Sequence, residues 1–219
     1  MTPYELMINT NHYLIKGCEL TEPQKANIVR QLLSSRCEEN KRPKFFEDMI
    51  YPKYFIPPYK EGNKKYQTVI PMSPKTHILS ANAYELEIIR LLYLFAPDDP
   101  EVQEILKGTT ERLKVTCPGG DCCIGECFHS SLPVLRLLAT MPHEIFWTKK
   151  LIAKIQKHID DKNKCNGGAV GYYWLCLSEL PFVLAEPELL RYRDKMIIYN
   201  KHKRNEIINC VVRNCLERI

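Results

Sequence analysis

Three apolar strings with a central arginine punctuate this chain: Ile88-Ile89-Arg90-Leu91-Leu92, Val134-Leu135-Arg136-Leu137-Leu138 and Val211-Val212-Arg213-Asn214-Cys215. Trp174 to Pro181 also aligns without a gap on Leu135 to Pro142, apolar on apolar at the first, third, fourth and seventh places. Prolines end such helices at 97, 142 and 181, intervals of 45 and 39 residues. A period of about 40 to 47 residues fits two helices and their connections, the unit of stacked helical hairpins, none of which buries its apolar face alone. Fifteen prolines against nine glycines also argue against a β-sandwich or a nucleotide-binding α/β fold, which spend glycine on turns and phosphate loops. With 45% hydrophobic and 26% charged residues, the 219-residue chain has enough apolar side chains for one cored domain, and disorder, collagen and coiled coil are poor descriptions of it.

Local signals place the helices. Thr2-Pro3-Tyr4-Glu5 and Thr21-Glu22-Pro23-Gln24 are capping boxes, with the threonine hydroxyl on the third amide and Glu or Gln reaching back. Gly17 between them is the expected stop of the first helix. From Cys37 to Leu79 the helical period disappears, and Tyr54-Phe55-Ile56-Pro57-Pro58-Tyr59 and Tyr66-Gln67-Thr68-Val69-Ile70-Pro71 predict a short β-hairpin or an ordered loop near 50–72. Helices are then expected from Ser80 to Ala96, from the Asp98/Asp99 cap to Thr116, from Phe128 to Met141, from His143 to Asp160, from Ala169 to Leu184, from Pro187 to Tyr199, and from Arg204 to the end. The expected fold is thus all-α: one domain of stacked antiparallel helical hairpins, an α/α superhelix or partial toroid. It comprises an N-terminal hairpin (1–37), a Pro/Tyr/Lys-rich insertion (38–79) and hairpin repeats (80–219).

In pattern, residues 80–219 resemble HEAT-like solenoids and the α/α-toroids of the terpenoid cyclase and protein prenyltransferase group. The resemblance is architectural. Neither the Asp-rich motif of the cyclases nor the zinc triad of the prenyltransferases is present, so no catalytic role carries over from that group.

Two places could carry chemistry. Cys117, Cys122, Cys123, Cys127 and His129 lie within thirteen residues, a set of thiols and an imidazole of the kind zinc takes. Their spacing lacks the C-x2-C pairs of a zinc ribbon. Cys127, near a helix start, with Cys122 or Cys123 to resolve it, is a redox alternative. Small buried residues in a tight loop are the plainer one, as are Cys18, Cys37, Cys176, Cys210 and Cys215 read as apolar filler. The second place is a rim. In stacked hairpins alternate helices run parallel, so their N-terminal amides gather along one edge that suits an anion. That edge would collect His77, Ser80, Asn82 and Tyr84, then Glu126, His129, Ser130 and Ser131, then Tyr172, Tyr173 and Trp174, with Glu126 or His129 as candidate general acid or base. Capping and core packing account for the same residues in the plainer view.

These observations favour a non-catalytic module that binds a peptide or protein, with a small acidic ligand as a further partner class. An enzyme with an acid/base or metal site at the rim is the alternative, the P-loop, G-x-G-x-x-G, G-x-S-x-G and H-E-x-x-H motifs being absent. A HEAT-like nucleic-acid binder ranks below both. Residues 41–79 carry 8 Lys/Arg against 3 Asp/Glu, but residues 169–219 have a net charge of only +2, too sparse a stripe for phosphate-driven binding. The N-terminal Met1-Thr2-Pro3-Tyr4-Glu5 has neither the basic nor the apolar region of a secretory signal, and Ala169 to Leu177, the longest nearly uncharged apolar stretch, is shorter than the roughly 18 to 20 residues a bilayer span needs. A soluble cytoplasmic protein with reduced thiols and no membrane partner is the expectation.

Overall fold

The computed structural model describes residues 1–38, 49–57, 66–121, 125–161, 167–202 and 205–219. Within them the protein is all-helical, with no strand. The helices are α1 (Pro3–Ile15), α2 (Glu22–Leu33), α3 (His77–Phe95), α4 (Pro100–Lys114), α5 (Gly125–His129), α6 (Ser131–Ala139), α7 (Ile145–Asp161), α8 (Gly167–Glu179), α9 (Phe182–His202) and α10 (Glu206–Leu216), with a 3₁₀ turn at Pro142–Glu144 before α7. No described helix is long and apolar enough to cross a membrane.

Both N-terminal capping boxes form as expected, at Thr2 with Glu5 and at Thr21 with Gln24. Gly17 adopts the left-handed conformation (φ +78°) that ends a helix at least cost to glycine. Asp99 caps α4 by accepting the amides of Glu101 and Val102. Other boundaries move. α3 starts at His77 with Thr76 as its cap, not at Ser80, whose hydroxyl accepts the Tyr66 amide instead. The helix expected from Phe128 is two, α5 and α6. α9 begins at Phe182 and runs through Pro187. A proline that early removes one backbone bond close to the helix start, where Val183 is exposed and the freed carbonyl can turn to water.

The segment expected as a β-hairpin or ordered loop has no strand in its described parts, 49–57 and 66–76, and its centre at 58–65 lies outside the described residues. Side chains of α3 take the place of a ladder. One Glu85 carboxylate oxygen accepts the amides of Lys53 (2.9 Å), Tyr54 (2.6 Å) and Phe55 (3.0 Å), and Asn82 donates to the Ile50 carbonyl (2.9 Å). With these groups satisfied by α3, this stretch has no need of a strand partner. Phe55, Val69 and Ile70 then enter the core beneath it.

Helix contacts define the interior. α3 packs on α6, α6 on α8, and α8 on α10, while α1 touches both α10 and α3. α4 lies against α3, α7 against α6, and α9 against α8 and α10. α3 is buried from Leu79 to Leu92 and α6 from Ser131 to Leu138, as expected of helices covered on all sides.

Candidate functional site

The buried faces of α3, α6 and α8 carry charge. Arg136, fully buried, donates to both oxygens of Glu179 (2.9 and 2.7 Å) and to Glu87 (2.6 Å). Arg90 reaches Glu179 (2.9 Å) and Asn11 of α1 (3.2 Å), and the Tyr172 hydroxyl donates to Glu87. Burial opposes ionisation of Glu179, but Arg136 and Arg90 outweigh it and hold its carboxyl below the usual range. Two guanidinium groups and two carboxylates balance, so the cluster is a neutral brace joining α1, α3, α6 and α8, with no net charge to offer a ligand. A second buried pair, Arg112 with Glu85 (2.9 Å), adds a bond from Arg112 to Asn82 (3.1 Å).

The structure brings part of the expected rim together. Glu126 and His129 of α5 line a cavity of about 150 Å³ with Met72, Ser73, Lys75, Leu79 and Gly125. The Glu126 carboxylate accepts the Thr76 amide (2.9 Å), the Thr76 hydroxyl and the Lys75 amide. It therefore occupies the positive end of α3 itself, the place an external anion was expected to take. His77 is the half-buried first residue of α3 and does not line the cavity. Ser73 and Lys75 complete the cavity but were not candidates in the sequence, because they lie in the non-helical stretch before α3 and belong to no motif.

The remaining rim candidates lie in the interior. Ser80 and Asn82 are buried and spent on backbone partners and Arg112. Tyr84 is buried beside Tyr66, and its hydroxyl is pushed up by burial. Ser130 donates to the Glu126 carbonyl (2.8 Å). Tyr172 and Tyr173 are buried, donating to Glu87 and Glu188, and burial with the adjacent carboxylate pushes each phenol well up. Trp174 packs edge-on against Tyr192 and Tyr199. α8 starts at Gly167, two residues earlier than expected, so these aromatics lie beyond its first turn in a helix covered on all sides.

Of the cysteine loop, Cys122 and Cys123 lie outside the described residues, Cys117 is exposed and Cys127 is half-buried. Among the described residues no cluster of His, Cys, Asp and Glu could hold a metal. The described part of the loop is tied to α7 instead. The Lys154 ammonium donates to the Gly120 carbonyl (2.6 Å) and the Ser131 hydroxyl (2.8 Å), and the Trp147 indole donates to the Gly119 carbonyl (2.9 Å).

A larger concavity lies elsewhere. Between α2 and the α3–α4 connection, a groove of about 420 Å³ is lined by Ala26, Val29, Leu33, Phe95 and Ala96, with Glu22, Lys25, Arg30 and Asp99 around them. Most of the charges are committed. Lys25 pairs with Glu22 (2.7 Å), and Asp99 accepts two amides of α4. Arg30 bonds only to the neutral Asn27 (2.7 Å) and meets no carboxylate among the described residues. The sequence carried a signal for this groove: α2 has apolar residues at 26 and 33 besides the buried 28, 29 and 32, an arc wider than one core contact needs. Compared with protein-family models, curated proteins and solved structures, the chain matches none.

Proposed function

We propose that this protein is a non-catalytic binding module, and that the groove beside α2 takes an amphipathic helical peptide with acidic residues next to its apolar face. The helix contacts support a finer architecture as well: α1, α3, α6, α8 and α10 follow one another as an inner ring with α4, α7 and α9 outside it, a small α/α-toroid of helical pairs closed by α1. In that arrangement α2 and the α3–α4 turn form an outer corner whose apolar floor no other described helix covers. The observation that carries the reading is an apolar floor beside a cation that meets no carboxylate among the described residues. The volume lies within the roughly 300 to 1,000 Å³ of ligand sites, and α2, at about 1.5 Å per residue, is long enough to lie alongside three turns of a bound helix. The net charge of +5 favours the same class of partner through steering.

The test is selection from a randomised peptide-display library against the protein, followed by fluorescence anisotropy of the selected peptides. The expected winners are helical and acidic, bind more weakly as salt rises, and lose at least tenfold in affinity with Ala26→Asp or Arg30→Glu, two exposed residues of the groove. Winners that bind both variants as tightly as the parent protein would refute the assignment.

A second reading rests on a different observation. The cavity at the start of α3 collects a serine hydroxyl, an imidazole and a lysine at Ser73, His129 and Lys75, the components of nucleophilic acyl transfer. Glu126, occupied with α3, would act by holding the cavity wall. A fluorophosphonate probe that labels Ser73, and fails to label it in His129→Ala, would support an enzyme. An unlabelled Ser73 would remove it.

A further inference from the structure

The N-terminal and C-terminal helices meet at a corner that the ionic brace does not reach. On α10, residues 206, 210 and 214 are four apart and share one face. Glu206 pairs with Lys16 (2.8 Å) and Asn214 donates to the Ile15 carbonyl (2.9 Å). Cys210 lies between them and is thus set against the end of α1. Immediately beyond, Gly17 turns the chain in its left-handed conformation, and the Cys18 amide closes that turn on the Tyr13 carbonyl (3.2 Å). Cys18 and Cys210 are free thiols, both half-buried rather than sealed in the core like Cys176 and Cys215. The Arg213 guanidinium donates to the Cys210 sulfur (3.8 Å), and both thiols lie within electrostatic reach of the Lys16 ammonium. Lys16 and Glu206 keep 40% and 75% of their side-chain surface, so a small reagent can reach the corner.

We propose that Cys18 and Cys210 form a redox-active dithiol whose oxidation clasps α1 to α10, with a low-molecular-weight disulfide as oxidant. The Cys210 thiolate attacks one sulfur of the oxidant, forming a mixed disulfide and releasing one thiolate, which takes up a proton. The Cys18 thiol then loses its proton and attacks the Cys210 sulfur, expelling the second thiol. Two protein thiols are oxidised to one disulfide, and one small disulfide is reduced to two thiols. Because the bond joins residues near opposite ends of the chain, it closes a very large loop of the unfolded state, and it stabilises the native contact between α1 and α10.

The test uses the full chain, reduced, freed of reductant and then exposed to oxidised glutathione. Peptide mapping by mass spectrometry without reduction should find the peptides of Cys18 and Cys210 joined, ahead of any other pair, and the thermal midpoint should rise and return on reduction. In Cys18→Ser the glutathionyl group should remain on Cys210, because the thiol that displaces it is gone. Cys210→Ser should form no link at Cys18, a separate check if either variant folds poorly. Independent glutathionylation of both cysteines in the unaltered chain, or a link that preferentially joins either of them to a different cysteine, would overturn the assignment.

Discussion

Replacing Arg136 by methionine tests the buried brace. The guanidinium has no exposure and makes three charged hydrogen bonds of 2.6 to 2.9 Å. Methionine fills much of the space and supplies none of them. Glu179 keeps Arg90 at 2.9 Å, whereas Glu87, 1% exposed, keeps only the Tyr172 hydroxyl. The cost is therefore mainly an unpaired carboxylate in the core, about 3–5 kcal/mol. For 219 residues, an unfolding entropy of about 2.1 cal/mol/K per residue turns that into a fall of about 7–11 °C in Tm. Urea titration should locate the loss in the midpoint and leave the slope unchanged. The double variant Arg136→Met with Glu87→Leu removes the orphaned charge and should return to within about 2 kcal/mol of the unaltered protein. A single variant within about 1 kcal/mol of the parent, or a double variant no better than the single one, would mean that these charges are not paired in the core.

Other consequences follow from the same contacts. The folded-state depression of Glu179 contributes stability that is fully present above the unfolded carboxyl value of about 4.3 and is lost as pH falls through the lower folded value. The unfolding midpoint should therefore drop in that acidic window, and Glu179→Gln should flatten the drop. Glu85→Ala strands three amides and takes the carboxylate from the buried Arg112 guanidinium, which keeps Asn82; it should cost more than about 3 kcal/mol, and hydrogen exchange should speed up at residues 53–55 before the rest of the core. A methyl group on Gly108 would overlap the Tyr54 hydroxyl, so Gly108→Ala should destabilise by about 1–3 kcal/mol, with partial recovery when Tyr54→Phe removes the clashing oxygen.

What could be read from the sequence was largely local. Thr2, Gly17, Thr21 and Asp99 act within one turn of their own helices, and their roles are visible in a few neighbouring letters. The strings around Arg90 and Arg136 were visible as a pattern, but their acidic partner Glu179 sits 43 residues from Arg136 on another helix, a distance no local period encodes. The third string diverges: Arg213 is exposed and lies 4.0 Å from Glu217, so a matching letter does not make a matching role. Pro187 looked like a helix start because proline favours the first turn, yet Phe182 to Glu186 extend α9 before it. At the rim, Glu126 and His129 were legible as polar groups at a helix start. That Glu126 would serve α3 depends on how Lys75 and Thr76 arrive there, which is tertiary. The groove beside α2 was written in the wide apolar arc of that helix, but only the placement of Phe95 and Ala96 turns the arc into a concavity.

Backbone amide shifts of isotope-labelled protein, titrated with a display-selected peptide, show directly which concavity is the binding site. The binding-module account predicts shifts along 22–33 and 95–99, with 72–79 and 125–129 unmoved. Shifts confined to the latter two segments would contradict it.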